Sequence, residues 1–242
     1  MVITNYRIAA NVPRLRTIAV IADLHDRGQE VIRKSLNSRK PSIIAIPGDL
    51  ISSELTDTAL SFLSACAAIA PTFYSLGNHE YHLKPEDIAK IRKTGAVLLD
   101  DTAVQVGDIT VGGLTTGYRF QREQLTKERM AGLYIANPEP NLNWLMAFSE
   151  LSGFKVLLCH HVEYYPKYIK QTAIDLTLAG HAHGGQIRLG NQGLFAPNQG
   201  FFPKWTSGVH DGRLVISRGL ANTAAWIPRL GNPPELVYVT IG

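Results

Sequence analysis

Cysteine is nearly absent from this chain, and the little there is carries no pattern. Two cysteines in 242 residues, Cys66 and Cys159, cannot build a disulfide framework or a thiolate metal cluster. Both read as small buried hydrophobes in a reducing compartment. Cys159 precedes two histidines, yet one thiol without a defined partner does not make a nucleophile. Long apolar runs are missing as well, and nothing approaches the ~20 residues that cross a bilayer. Arg7, Arg14 and Arg16 interrupt residues 1–22, so a signal peptide is not expected. A cytoplasmic location is expected, with peripheral contact at a membrane face left open. There is no Lys/Arg block either. The formal net charge of +4 and pI near 9.1 suit an anionic substrate, but dispersed basic residues argue against a nucleic-acid arm. No linker, charge run or repeat divides the sequence, so residues 1–242 are expected to form a single domain.

What is present is a series of short apolar segments, each followed at once by a polar cluster. Residues 17–22 read as a buried strand and run into Asp23-Leu24-His25. In an extended or gently turning segment, side chains two apart share a side, so this carboxylate and imidazole are expected to converge. A helix over 29–38 stops before Pro41. The strand 42–47 ends in Gly48-Asp49. The helix that follows carries an apolar stripe from Leu55 to Ala70, with Ser52 or Ser53 as its cap and Glu54 in its first turn. The strand 72–76 ends in Gly77-Asn78-His79-Glu80, where the glycine permits a tight turn. Pro85-Glu86-Asp87 opens another helix, closed by Lys93-Thr94-Gly95.

This alternation predicts α/β architecture with parallel pairing. The second half is richer in strands, with short ones at 97–99, 103–106 and 109–112 and a hairpin turn at Gly107-Asp108. Residues 115–141 are mixed, with a helix around 123–131, and read as a surface excursion or else a lid or substrate wall. The strand 154–159 ends in His160-His161, and 175–179 ends in Gly180-His181-Ala182-His183. Strands at 214–217 and 236–241 close the chain.

Five strand ends therefore carry imidazoles, carboxylates or an amide. Buried polar groups of this kind are costly without partners, and this set partners itself only around something positive. A dinuclear metal centre is expected. The donors, with no thiolate among them, suit Mn²⁺, Fe or Zn²⁺.

With its clusters in this order, the chain resembles the calcineurin-like metallophosphoesterases. Asp23-x-His25, Gly48-Asp49, Gly77-Asn78-His79-Glu80, His160 and Gly180-His181-x-His183 match that family's five blocks. The resemblance implies a four-layer α/β/β/α sandwich with two mixed central sheets and a phosphoric ester hydrolase using two divalent metal ions. Mn²⁺ comes first, with Fe, Zn²⁺ or Ni²⁺ as alternatives. It implies that Asp23, His25 and His183 bind one metal, that Asn78, His160 and His181 bind the other, and that Asp49 bridges them with a water or hydroxide. His79 would face the substrate and assist the leaving group. His160 is preferred over His161 because His160-His161-Val162-Glu163 parallels the family's His-x-Pro-Asp/Glu, although Val162 stands where proline is usual.

The run from Gly184 to Trp205 and Asn232-Pro233-Pro234-Glu235 look like the bacterial YkuE/YaeI-like branch, which also includes enzymes that cleave the pyrophosphate of UDP-2,3-diacylglucosamine. A phosphodiesterase or pyrophosphohydrolase acting on a small-molecule phosphate ester or lipid-nucleotide is the leading expectation. A non-catalytic metal-binding scaffold and a nuclease are the alternatives. Phe195, Phe201, Phe202 and Trp205 would grip an acyl chain or membrane surface, or else pack on their own loop. Arg27 would reach a phosphate or lie in a surface turn. No obligate protein partner is evident.

Overall fold

The apolar segments of the first half form strands joined by helices in the order expected. The structure, a computed structural model, describes residues 1–117, 139–221 and 228–242. In chain order it contains β1 (Val2–Ile8), β2 (Arg16–Val20), α1 (Gln29–Arg39), β3 (Ile43–Ile46), α2 (Asp57–Ile69) and β4 (Thr72–Ser75). A 3-10 turn (His79–His82) leads to α3 (Pro85–Lys93), β5 (Val97–Leu99), β6 (Thr102–Val106), β7 (Ile109–Leu114) and α4 (Leu142–Ser149). The rest is strand-rich: β8 (Phe154–His161), β9 (Leu176–Gly180), four two-residue strands β10 to β13 between Arg188 and Phe201, β14 (Gly208–His210), β15 (Leu214–Ile216) and β16 (Glu235–Ile241). The expected helix near 123–131, and with it the lid or substrate wall, lies outside the described residues.

Among the described residues two six-stranded sheets form, ordered β1-β16-β2-β3-β4-β5 and β14-β15-β9-β8-β7-β6. Both are mixed. In the first, β2 to β5 run parallel and β16 lies antiparallel to β2. In the second, β15, β9, β8 and β7 are parallel and the outer strands antiparallel.

The central strands are apolar without a break because they are covered on both faces. Ile18, Val20, Ile43 and Ala45 pack against Val156, Leu158, Leu176 and Leu178 in a core between the sheets. Their neighbours Ala19, Ile44 and Ile46 face the opposite way, onto Ile32 and Leu36 of α1 and Phe62, Leu63 and Cys66 of α2. A third core joins Leu157, Cys159 and Ala179 to Leu145 and Phe148 of α4. Each such large side chain contributes about 1.5–3 kcal/mol on burial. The resulting order is helices, sheet, sheet, helix.

One boundary differs from the sequence expectation. Neither Ser52 nor Ser53 caps α2. Thr56 does, its Oγ1 accepting from Ala59 N at 3.0 Å, with Asp57 in the first turn. The reason is that Ser52 is held elsewhere: its N–H donates to Asp26 Oδ2 at 3.0 Å and its carbonyl faces His79 Nδ1.

Candidate metal centre

The loops after β2, β3, β4 and β9 and the last residues of β8 meet where the carboxyl ends of the two sheets come together. Their approach depends on unusual backbone. Asp23, His25, Asp49, His181 and His183 all have positive φ, between 45° and 68°. That region is sparsely populated by residues other than glycine and costs about 1–3 kcal/mol each. It corrects the expectation of extended alternation: Asp23 and His25 converge through a sharp left-handed turn. The same holds for His181 and His183. Gly48 (φ 108°) is held close, since a Cβ there would lie 2.8 Å from both Gly77 Cα and His160 Cβ.

Asp23, His25 and His183 present ligand atoms within 4.8 Å of one another, with His183 Nε2 at 3.5 Å from Asp23 Oδ1. Asp49 Oδ2 lies 3.2 Å from His160 Nε2, 3.7 Å from His25 Nε2 and 3.8 Å from His79 Nε2. His160 Nε2 also stands 3.1 Å from Asn78 Oδ1 and 3.2 Å from His181 Nδ1. Every residue expected at the centre is brought together. His161, the rival of His160, is there as well, with Nε2 at 3.3 Å from Asn78 Oδ1.

The second nitrogens of three of these rings are held from behind, while Nδ1 of His160 and of His161 meets no hydrogen-bond partner among the described residues. His25 Nδ1 faces Ile51 O (3.1 Å), His183 Nδ1 faces Ala221 O (3.3 Å), and His181 Nε2 faces Asn198 Nδ2 (3.1 Å). The two carbonyls select the tautomer with the proton on Nδ1 and leave the Nε2 lone pairs of His25 and His183 pointing inward, whereas the Asn198 amide donates to His181 Nε2. His25 Nε2 is buried and makes no hydrogen bond to the described residues. An inward-facing, unsatisfied imidazole nitrogen beside two carboxylates fits a divalent cation.

Charge tells the same story. Burial pushes His25 down to about 4 and His161 down to about 3, and it lowers His181 and His183 too. Burial is the largest single influence on Asp49 and His160 and opposes both charges, but the surrounding opposite charges together outweigh it: His160, His79 and His25 hold Asp49 well below the usual carboxylate range, and Asp49, Asp23 and Glu80 raise His160. The side chain of His79 is 24 % exposed, against 8 % or less for the other imidazoles of the centre. It is the one ring of the set that opens outward. A groove of about 850 Å³, lined by Ser53, Leu55, His82, Lys84 and Lys90 among others, starts from the same turn.

Several residues that shape the centre have no role assigned to them from sequence. Glu80 belongs to the tetrad, but its part appears only in three dimensions. It accepts hydrogen bonds from Gly77 N (2.7 Å), Asp49 N (2.9 Å), Leu50 N (3.0 Å) and Tyr74 Oη (2.7 Å). Asn232 donates to His183 O (2.8 Å) and Gln186 O (3.0 Å), so the Asn232-to-Glu235 motif clamps the last metal-site turn. Arg229 Nη2 reaches Ala221 O beside His183. Nothing in sequence spacing links Asn198, Arg229 or Asn232 to the histidines they touch. Arg27 is exposed in a surface turn, its N–H donating to Leu24 O at 3.1 Å.

Two facing mixed sheets with a cluster of carboxylate, imidazole and amide side chains at their shared end define the metallophosphoesterase architecture. The family model for calcineurin-like phosphoesterases matches residues 16–185, and the chain belongs to that family. It is a metal-dependent phosphoric ester hydrolase built around a divalent metal centre. Among similar proteins, YpbG of Bacillus subtilis is 26% identical over 93% of this chain and 80% of its own length. A metallophosphoesterase of Campylobacter jejuni is 29% identical over 99% of this chain and 61% of its own. The phosphodiesterase YaeI of Escherichia coli is 27% identical over 62% of this chain and 52% of its own. In fold, the chain is similar to a dimetal phosphatase from Danio rerio, with a TM-score of 0.55, 12% identity and coverage of 84% and 87% of the two chains.

Proposed function

We propose that residues 1–242 act as one dinuclear phosphodiesterase or pyrophosphohydrolase domain. In this reading Asp23, His25 and His183 hold one cation, Asn78, His160 and His181 hold the other, and Asp49 is shared. The position of Asp49 Oδ2 carries it, 3.2 Å from a nitrogen of one cluster and 3.7 Å from a nitrogen of the other. Two divalent cations supply an activated water and neutralise developing charge on phosphorus-bound oxygens. Mn²⁺ is the first choice, with Fe, Zn²⁺ or Ni²⁺ as alternatives.

The chain's own groups do the rest. Asp49 Oδ1 accepts from His79 N at 2.9 Å, which ties the proton donor to the shared carboxylate. With Nδ1 of His79 on the Ser52 carbonyl, Nε2 is the atom that exchanges a proton, delivering it to the departing oxygen. A positioned acid of this kind contributes roughly 10²–10⁴-fold.

The test is hydrolysis of bis-p-nitrophenyl phosphate beside p-nitrophenyl phosphate, after EDTA treatment and Mn²⁺ return. Turnover of the diester should require Mn²⁺ and exceed that of the monoester. His79→Ala should lower kcat roughly 10²–10⁴-fold while leaving bound metal unchanged. Preference for the monoester would overturn the diesterase reading, and full metal loading with neither ester cleaved would favour a non-catalytic scaffold.

A lipid-nucleotide substrate of the UDP-2,3-diacylglucosamine type, met at a membrane face, is a second reading. Leu189, Phe201 and Phe202 support it, at 82 %, 72 % and 68 % exposed, on the segment whose Asn198 touches His181. Cleavage of the acylated nucleotide sugar but not of UDP-glucose would support it, and equal cleavage would remove the acyl chains from recognition.

A further inference from the structure

Alternation along β8 sends Val156 and Leu158 into the core between the sheets and Leu157 and Cys159 into the outer core. An unbroken strand would therefore carry His160 inward and His161 outward. The register against β9 is broken. Leu158 pairs with Leu178, but it is His161, one residue later than regular pairing allows, that stands opposite Gly180. The extra residue is a β-bulge, a device that re-aims a side chain beside a site. Both imidazoles end up on Asn78, with His160 Nε2 at 3.1 Å and His161 Nε2 at 3.3 Å from its Oδ1.

We propose that His161 is a third imidazole ligand of the second metal position, beside His160 and His181. The assignment rests on the dinuclear reading above. Around an ion with ligands at ~2.1 Å, neighbouring ligand atoms stand about 3.0 Å apart in an octahedron and about 3.4 Å apart in a tetrahedron. His160 Nε2 has such neighbours in Asp49 Oδ2 (3.2 Å), Asn78 Oδ1 (3.1 Å) and His181 Nδ1 (3.2 Å). The His161–Asn78 separation of 3.3 Å is one more edge of the same figure. Ligand nitrogens of His160, His161 and His181 all lie within 4.8 Å of one another.

The His161 ring stacks on His181, centroids 3.9 Å apart at 20°, which holds the two ligand rings side by side. The second position then offers three imidazoles, an amide and one carboxylate. The first offers two imidazoles and two carboxylates. An imidazole-rich set favours Zn²⁺, Co²⁺ or Fe²⁺ over Mg²⁺.

The competing role is a plain hydrogen bond from His161 Nε2–H to Asn78, and cobalt separates the two. In the Co²⁺-loaded full chain, each coordinated imidazole contributes one hyperfine-shifted exchangeable N–H proton resonance. Ligation by His161 gives five, from His25, His183, His160, His161 and His181, whereas the hydrogen-bond role gives four. His161→Phe keeps the ring and its stacking but removes both nitrogens. It should show four resonances and bind the second Co²⁺ equivalent at least about tenfold more weakly, with the metal-free melting temperature unchanged. If that variant does not fold, His161→Ala is read in the same way. Four resonances in the wild-type chain, or an unweakened second equivalent in the folded variant, would overturn the assignment. A wild-type chain that takes up no Co²⁺ fails differently, because the dinuclear reading itself then falls and His161 falls with it.

Discussion

Glu80 has no metal-facing atom in this arrangement, yet its carboxylate gathers the backbone N–H groups of Gly77, Asp49 and Leu50 and the Tyr74 hydroxyl. It fixes two of the loops that present ligands. Hydrogen bonds to a charged acceptor are worth about 1.5–3 kcal/mol each, and a buried donor left unmet costs more. Glu80→Gln turns an amide N–H₂ toward donors, so urea unfolding should show a loss of at least about 2 kcal/mol, together with weaker metal uptake. The two cysteines allow a second prediction at this scale. Both are buried, and burial pushes the Cys66 thiol up to about 12 from an ordinary 9.0 and raises Cys159 as well. Neither should react with iodoacetamide at pH 8 in the native protein, and both should react in guanidinium. Above pH 9 the unfolded chain loses thiol protons that the native chain keeps, so stability should fall from there toward pH 12. A urea midpoint rising across that range would contradict it.

At the scale of elements, the start of α2 shows how local signals compete. Ser52 and Ser53 are the caps expected from sequence, and Thr56 is a third residue of capping type close by. The choice is made by Asp26, which accepts from Ser52 N (3.0 Å) and from Thr56 Oγ1 (2.9 Å). Ser52 is thereby bound into the His79 turn and the helix begins four residues later. Thr56→Ala should cost about 1 kcal/mol, while Ser53→Ala should stay within about 0.5 kcal/mol. Equal costs in thermal melts would place the cap elsewhere. The β8 bulge is a similar case: His160-His161 in an unbroken strand would offer one inward imidazole, and the broken register offers two.

Across the whole molecule, the centre ties the two sheets together. Asp23, His25, Asp49 and Asn78 follow strands of one sheet, and His160, His161, His181 and His183 belong to the ends of β8 and β9 in the other. His181 N donates to both oxygens of Asp23, at 3.0 and 3.2 Å, across that seam. Cations bound there act on global stability, by about 2.7 kcal/mol for one site at a hundred times its dissociation constant. Removing metal with EDTA should lower Tm by roughly 5–10 °C, and Mn²⁺ should restore it. Unchanged melting after demonstrated metal loss would mean that the seam holds without it. No helix among the described residues is long and apolar enough to cross a membrane.

The fold class was legible from sequence because parallel strands covered on both faces must be apolar without interruption, as Ile43–Ile46 is, and because acids, glycine and proline mark helix ends, as around α3. The site residues were legible because chemistry-bearing side chains follow those strands directly. Tertiary structure alone decided how they converge. Local propensity disfavours the left-handed turns at Asp23, His25, Asp49, His181 and His183, and only contacts between distant loops hold them. Asn198, Asn232, Arg229 and the inward turn of His161 belong to the same class. Their partners are far away in sequence, so no spacing within the chain announces them.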